Sequence, residues 1–162
     1  MTHKEGCDIA YKWLLNRCGF AFNELSAATS WGEIPDAIGF KGWGESTLVE
    51  VKTSRADFLR DKNKIFRIHP ERGMGTFRFY LCPKDLIKIE DLPDNWGLIY
   101  VNEKGKARIK HNPYNTKGGN HWRGGFTEKC RKSETQMMYS ALRRLHIRKR
   151  IDEIYLPIGK VL

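Results

Sequence analysis

The segment Leu-Val-Glu-Val-Lys at residues 48–52 constrains the fold more than any other part of the chain. Val49 and Val51 fall on one face of an extended strand and Glu50 and Lys52 on the other, because side chains alternate with period two. The apolar neighbours favour a central, partly buried strand, where charges are costly unless they are paired or used. The segment therefore predicts a sheet with functional charged side chains on a partly buried strand.

A second strand precedes this segment. Residues 34–40 have a strand pattern, and the turn at 41–45 contains two glycines that supply unusual backbone angles. If the strands at 34–40 and 47–53 pair across that turn, Asp36 comes near Glu50. Two carboxylates and the ammonium group of the neighbouring lysine then converge on one side of the sheet.

The remaining pattern predicts an α/β protein with a mixed sheet. Gly19 stands where a helix C-cap is expected, and Ser54-Arg55-Ala56-Asp57 fits a capping box at the start of a helix. The other predicted elements are helices at 4–18, from Ser54 to about 66 and at 133–147, and strands at 20–25, 76–82, 96–101 and 107–110, the last two forming a hairpin.

The chain shows no internal repeat and no linker. Its 162 residues suit one domain over 1–162, with a core at about 4–110 and a C-terminal extension at 111–162. No apolar run could span a bilayer, and Met-Thr-His-Lys-Glu at the start has no signal-peptide core behind it. We expect a soluble, cytoplasmic protein without a membrane partner.

The net charge of +10 and the sequence pI of about 9.6 favour a polyanionic partner. Cys7, Cys18, Cys82 and Cys130 form no C-x-x-C pair, and the histidines are dispersed. Reduced, mostly buried thiols are therefore expected, rather than disulfides or a structural zinc site.

The predicted cluster suits phosphodiester hydrolysis. Asp36 and Glu50, with the backbone carbonyl of Val51, supply the oxygen ligands that Mg²⁺ or Mn²⁺ prefers. Such a cation offsets negative charge on the phosphate and lowers the pKa of a bound water. Lys52 would hold that water or stabilise charge on the phosphate. A solvated hairpin face carrying a surface Glu–Lys pair is the alternative interpretation of these residues.

Ile-Pro-Asp-Ala-Ile at 34–38 followed by Val-Glu-Val-Lys-Thr-Ser at 49–54 resembles the signature of the PD-(D/E)XK nuclease superfamily. The chain is most similar to MmcB-like DNA-repair proteins, through residues 49–58 and the segments around 79–83 and 96–100. The resemblance extends over about 8–110. It implies a restriction-endonuclease-like core of helix, three strands, helix and strand, followed here by a C-terminal hairpin and helix.

The same resemblance implies a further acid at the site. Members of the superfamily carry one on the first helix, which here falls on Asp8, or near the first strand, which falls on Glu24. We favour Glu24, because it leads into the loop before Asp36. Basic and aromatic residues close in sequence to the site, or in the glycine-rich loop at 112–127, could hold nucleic acid. These are Arg55, Lys62, Lys64, Arg67, Lys117, Trp122 and Arg123. A solvated face with Asp57 and Asp61 as partners is the alternative for those on the second helix.

The expected activity is that of a metal-dependent deoxyribonuclease, with an endonuclease favoured, acting in DNA repair, recombination or defence. The first alternative is a catalytically inactive nucleic-acid-binding protein of the same fold. The second is a protein-interaction subunit of a repair or defence complex. The residues leave open exonucleolytic cleavage, RNA as substrate, and the choice between a monomer and a homodimer.

Overall fold

The computed structural model describes residues 1–114 and 121–159. Its helices are α1 (His3–Leu15), α2 (Arg55–Asp61), α3 (Ile65–Ile68) and α4 (Arg131–Ile147). Its strands are β1 (Phe20–Asn23), β2 (Ala37–Phe40), β3 (Ser46–Val51), β4 (Phe77–Pro83), β5 (Gly97–Val101) and β6 (Ala107–His111). Short 3-10 turns occupy Pro70–Arg72, Ile89–Asp91 and Ile151–Tyr155.

The strands form one open, mixed sheet in the order β1-β2-β3-β4-β5-β6. The first three strands are antiparallel neighbours, β3 and β4 are parallel, β4 and β5 are parallel, and the last two form an antiparallel hairpin. Two parallel neighbours cannot be joined by a tight turn, so the chain crosses over between β3 and β4 through α2 and α3. The predicted α/β class and mixed sheet are confirmed.

Helix α1 begins with a capping box, in which the Thr2 hydroxyl and the Glu5 carboxylate each accept a backbone N–H of the other residue. It ends at Leu15, earlier than predicted, because Arg17 and Cys18 both donate their N–H groups to the carbonyl of Leu14. Gly19 is not the helix cap that its position suggested. Its N–H bonds to the carbonyl of Phe40 at 2.9 Å and starts the sheet.

The predicted helix from Ser54 to about residue 66 is two helices. Ser54 caps α2 as expected, because its hydroxyl accepts the N–H of Asp57 at 3.2 Å. Asn63 and Lys64 then donate to the carbonyls three residues before them, and this tight turn ends α2 at Asp61. The sequence has no Gly or Pro to mark the break, and its effect is to direct the side chain of Arg67 back toward Asp61.

Each face of the sheet has its own apolar core. The face under α1 contains Cys7, Ala10, Trp13, Leu14, Ala37, Val49, Val51, Phe77, Phe79, Leu81, Ile99, Val101 and Tyr114. The other face contains Ile38, Phe40, Leu48, Phe58, Met74, Tyr80, Cys82, Ile87, Trp96, Leu98 and Met137. Gly6 lets α1 approach the sheet, because a Cβ there would come within 2.4 Å of the Val51 side chain.

The remaining predictions differ from the structure mainly at their ends. Strand β2 begins at Ala37 instead of residue 34, the C-terminal helix begins at Arg131 instead of 133, and Pro83 is the last residue of β4 rather than its terminator. The four cysteines are free, as expected. Within the described ranges, every helix is too short or too polar to cross a membrane.

Candidate functional site

Asp36 and Glu50 come together where β2 begins and β3 ends. Ala37 pairs with Val49 and Ile38 with Leu48 in the antiparallel register, so Asp36 stands opposite Glu50 when the register continues by one residue. The Asp36 Oδ2 atom accepts the N–H of Val51 at 2.7 Å. This bond fixes the carboxylate beside the end of β3, and its side chain remains 17% exposed. The predicted convergence of the two acids is present.

Glu50 and Lys52 point to the face that α2 covers. Their side chains are each 4% exposed, and Lys52 Nζ lies 3.5 Å from Glu50 Oε2. The same ammonium lies 3.2 Å from Asp61 Oδ1 and 4.0 Å from Asp57 Oδ2, both on α2. Lys52 is therefore held at a fixed position by carboxylates on two elements. An exposed Glu–Lys pair on a solvated hairpin does not describe these residues.

Arg67 lies inside this cluster instead of on a nucleic-acid surface. Its side chain is 2% exposed, and its guanidinium contacts Glu33 at 2.6 Å, Asp61 at 2.8 Å and Glu50 at 3.0 Å. The Nη2 atom that faces Glu50 has no aligned hydrogen-bond acceptor, so that contact is mainly Coulombic. The assignment of Arg67 to phosphate binding was wrong, because a guanidinium with no exposed surface cannot reach a ligand in solvent.

The cluster carries more negative than positive formal charge. Its carboxylates are Glu33, Asp36, Glu50, Asp57 and Asp61, and its cations are Lys52, Arg60, Lys64 and Arg67. These five acids and four cations leave a surplus of one negative charge. A divalent cation would offset this surplus.

The pKa values of Glu50 and Asp61, two buried acids, shift in opposite directions. Burial raises the pKa of Glu50 to about 7, an effect that Arg67 opposes and Asp36 reinforces. Burial also disfavours ionised Asp61, but Arg67 and Lys52 hold its pKa below the ordinary range. The Asp61 carboxylate further accepts the Tyr80 hydroxyl at 2.8 Å. Asp61 is thus a fully paired anion, whereas Glu50 is short of compensating charge.

The donor set fits a hard divalent cation. Asp36 and Glu50 offer carboxylate oxygens at neighbouring strand ends, and oxygen is the donor that Mg²⁺ and Mn²⁺ prefer. Asp36 Oδ1 faces His3 Nε2 at 3.3 Å. Both Glu50 oxygens already face cations, Arg67 on one side and Lys52 on the other. A cation bound here would share Glu50 with those two residues.

Of the two candidate additional acids, Glu24 is tied directly to Asp36. The N–H of Glu24 bonds to the Asp36 carbonyl at 2.9 Å, and its φ of 47° places it in the left-handed region at the end of β1. Its carboxylate reaches Lys4 at 3.2 Å and His3 at 3.9 Å. Asp8 instead accepts the Asn23 amide at 2.9 Å. These contacts are consistent with the preference for Glu24.

The basic residues of α2 and the turn after it are already paired. Arg55 makes a two-pronged bond to the Asp91 carboxylate at 2.5 and 2.7 Å, and Lys62 donates to the Asp91 carbonyl at 2.6 Å. Lys64 lies 2.8 Å from Asp61. Nucleic acid would have to compete with these partners, so the alternative of a self-paired polar face describes this surface better. Lys117 lies outside the described residues.

Trp122 and Arg123 lie at the other end of the sheet. Trp122 is half-buried against the core under α1 and stacks on Trp13 with ring centroids 6.2 Å apart. Arg123 is exposed and shares a shallow hollow with Trp43 and Thr76, at the ends where β3 and β4 begin. Thr76 lies level with Ser46, four residues before Glu50, so this hollow is about 13 Å along the strand from Glu50.

Several residues of the cluster were not identified from the sequence. Glu33 binds both Arg67 and the N–H of Met74 at 2.6 Å, and Asp61 joins Lys52, Arg67 and Tyr80. Tyr80 carried a strand signal, because it alternates with Phe79 and Leu81, but its pairing with Glu50 is known only from the register of the sheet. Asp61 had been named only as a partner for the basic residues of the second helix. Glu33 lies in a loop, where alternation gives no information.

No family model matches the chain, and no curated protein is significantly similar to it. A solved structure of SPO1766, a protein of unknown function from Silicibacter pomeroyi, is similar with a TM-score of 0.61. The two sequences are 18% identical, and the similarity covers 100% of this chain and 99% of the other. At this identity the likeness shows a shared fold and nothing about activity.

Proposed function

We propose that this protein is a metal-dependent nuclease that hydrolyses DNA phosphodiester bonds at Asp36, Glu50 and Lys52. The observation that carries the proposal is their convergence at the end of β3. Asp36 stands opposite Glu50 in the register, and Lys52 Nζ lies 3.5 Å from Glu50 on the same face. The buried position of two of these charges argues that they are retained for chemistry rather than for solubility.

The order of elements supports placing the site in a PD-(D/E)XK core. A helix, an antiparallel three-stranded meander, a helical crossover and a parallel fourth strand follow one another over α1 to β4. This is the arrangement that the resemblance at 34–38 and 49–54 implies. The hairpin β5–β6 and helix α4 then extend the core.

Asp36 and Glu50, with the carbonyl of Val51, would hold Mg²⁺ or Mn²⁺. The cation would supply charge neutralisation at the phosphate and a more acidic bound water. Asp36 is preorganised for this role, because the Val51 N–H fixes one of its oxygens. Arg67 positions the other acid, since it ties Glu50 on β3 to Glu33 and Asp61 on neighbouring segments.

Lys52 acts as a cation, not as a general base. Burial disfavours its charge, but the carboxylates of Glu50 and Asp61 raise its pKa above the ordinary value, so the ammonium persists at neutral pH. A protonated amine can donate hydrogen bonds to a water or a phosphate oxygen and cannot accept a proton. Lys52 therefore contributes by orienting the attacking water and stabilising negative charge on the phosphate.

The test is cleavage of single-stranded, duplex, flapped and junction DNA with Mg²⁺, Mn²⁺, Ca²⁺ or EDTA. Wild-type protein should cut with Mg²⁺ or Mn²⁺ and bind without cutting in Ca²⁺, which takes more ligands in looser geometry. Asp36→Asn is the matched inactive variant, and Asp85→Asn, an exposed acid outside the cluster, is the control. Metal-stimulated cleavage that survives Asp36→Asn would remove this site from the reaction.

A catalytically inactive nucleic-acid-binding protein is the second candidate, and one observation favours it. Both Glu50 oxygens face cations of the protein itself, so Glu50 is already partly compensated without a metal. On this alternative the protein would bind DNA equally well in EDTA and Mg²⁺ and would cut none of the four substrates. Binding that requires a divalent cation would favour the nuclease.

A further inference from the structure

His3, Cys7 and Glu24 offer three different metal-ligating atoms beside the proposed catalytic centre. One ligand atom from each of these residues lies within 4.8 Å of the other two. His3 and Cys7 are separated by four residues on α1, which places both on the same side of the helix. Glu24 reaches them from the end of β1. The proposed hydrolytic reaction assigns no role to His3 or Cys7.

The separations agree with those of ligands around one small cation. Cys7 Sγ lies 3.5 Å from His3 Nδ1, and Glu24 Oε1 lies 3.9 Å from the same nitrogen. Zn–S bonds of about 2.3 Å and Zn–N bonds of about 2.0 Å at a tetrahedral angle separate the two ligand atoms by about 3.5 Å. Cys7 Sγ also lies 3.9 Å from His3 Nε2, so the imidazole would have to turn, with the ligand atoms already at a suitable separation, to bind a cation.

The second nitrogen of His3 lies beside a carboxylate. His3 Nε2 is 3.3 Å from Asp36 Oδ1, an ion-pair distance without hydrogen-bond alignment, and a turn of the ring would point Nε2–H at Asp36 and Nδ1 at Cys7 and Glu24. Histidines that bind metal almost always donate their other ring N–H to a carboxylate or carbonyl group. Asp36 is itself fixed by the N–H of Val51. Once turned, the imidazole would have a carboxylate beside its second nitrogen, as metal-binding histidines do.

The charges and accessibility around the cluster also suit a cation. His3 and Glu24 are 44% and 40% exposed and provide a route from solvent to the buried sulfur. The positive charge of Lys4 would repel a bound cation. Lys4 contacts Glu24 Oε2, however, so Glu24 Oε1 remains directed toward His3.

We propose that His3 Nδ1, Cys7 Sγ and Glu24 Oε1 form a second metal site, selective for a thiophilic divalent cation such as Zn²⁺, with water as the fourth ligand. Sulfur and imidazole donors favour Zn²⁺ over Mg²⁺, whereas Asp36 and Glu50 offer only oxygen. This second metal site does not depend on the proposed nuclease activity, because the contact between Asp36 and His3 is present whether or not the protein cleaves DNA.

The experiment is a Co²⁺ titration of metal-free, reduced protein followed by absorption spectroscopy. We expect a near-ultraviolet thiolate-to-cobalt band that saturates at one equivalent and disappears when Zn²⁺ is added. Cys7→Ser should abolish the band. Cys82→Ser, which alters another buried thiol on the opposite face of the sheet, should retain it.

Affinity for Zn²⁺, measured by competition with a chromophoric chelator, provides the second readout. His3→Gln should weaken binding at least about tenfold, and Asp36→Asn by about tenfold through loss of the oriented ring. His69→Gln, at a histidine paired with Glu71, should change nothing. Because His3 is half-exposed, its variant should fold even if a Cys7 variant does not. Absence of the cobalt band, its persistence in Cys7→Ser, or unchanged affinity in His3→Gln would overturn the proposal.

Discussion

Two buried ion clusters lie at opposite ends of β3, and they differ in charge balance. Where the strand begins, Lys129 Nζ lies 2.8 Å from Glu134 Oε2 and donates to Ser46 Oγ at 2.8 Å and to the Gly44 carbonyl at 3.0 Å. The other Glu134 oxygen accepts the Ser46 hydroxyl at 2.5 Å and the Gly75 N–H at 3.0 Å. One anion and one cation therefore satisfy each other, and the bonds join α4 to the sheet.

The cluster where β3 ends is not balanced in this way. Five carboxylates face four cations, and Asp36 and Asp57 keep part of the group open to solvent. A balanced buried pair has no spare charge for a ligand, and breaking it leaves an uncompensated charge. A surplus of negative charge at the edge of a buried cluster instead provides a place for an external cation. The difference distinguishes a structural cluster from a candidate catalytic one.

The largest expected effect is on catalysis at the unbalanced end. Lys52→Met should lower the cleavage rate by about 100- to 1,000-fold, because it removes a fixed positive charge from the phosphate. DNA affinity should change much less than the rate, which single-turnover assays at saturating enzyme would show. Since Lys52 is buried, circular dichroism must first establish that the variant folds. Wild-type rates in a folded variant would exclude Lys52 from the reaction.

Removing one negative charge from each cluster should affect stability unequally. Glu134→Gln leaves Lys129 buried without its counterion and should lower the free energy of unfolding by about 3 kcal/mol. Glu50→Gln reduces a surplus of negative charge and should change it by less than about 1 kcal/mol. Urea unfolding of the two variants measures both values. Equal losses would mean that the two clusters have the same structural role.

Mg²⁺ should stabilise the protein through the unbalanced cluster alone. At a Mg²⁺ concentration about a hundredfold above its dissociation constant, the gain is about 2.7 kcal/mol. Thermal unfolding with and without Mg²⁺ should show an increase in Tm for wild type and Glu134→Gln. The increase should vanish in Asp36→Asn and Glu50→Gln. A shift that persists in both of these variants would place the cation elsewhere on the surface.

The smallest effect concerns which end of the sheet contacts DNA. Arg60 on α2 is 79% exposed near the unbalanced cluster, whereas Arg123 lies at the balanced end. If DNA lies over the proposed catalytic centre, Arg60→Glu should reduce the slope of log affinity against log salt by about one unit, and Arg123→Glu should leave it unchanged. The reverse result would favour the hollow around Trp43 and Trp122 as the DNA surface.

The sequence by itself determined the central part of the sheet. Alternating residues at 48–52 fixed which side chains of β3 face each core, and the glycine-containing turn at 41–45 fixed the pairing with β2. These are local properties, set by strand geometry and turn chemistry. The convergence of Asp36 with Glu50 followed from them, whereas the C-terminal hairpin followed from the separate strand patterns at 96–101 and 107–110.

Only the tertiary structure decided which partners surround those residues. Arg67 looked like a surface cation in the sequence, but the break after α2 buries it against Glu33, Glu50 and Asp61. Asp61 is six residues from Arg67 and had been named as a possible partner, but Glu33 and Glu50 are distant along the chain, so no spacing or periodicity could reveal them. His3 and Cys7 were likewise separated in sequence from Glu24 and Asp36. Charge pairing depends on distance in space, whereas sequence patterns report only the periodicity of a single helix or strand.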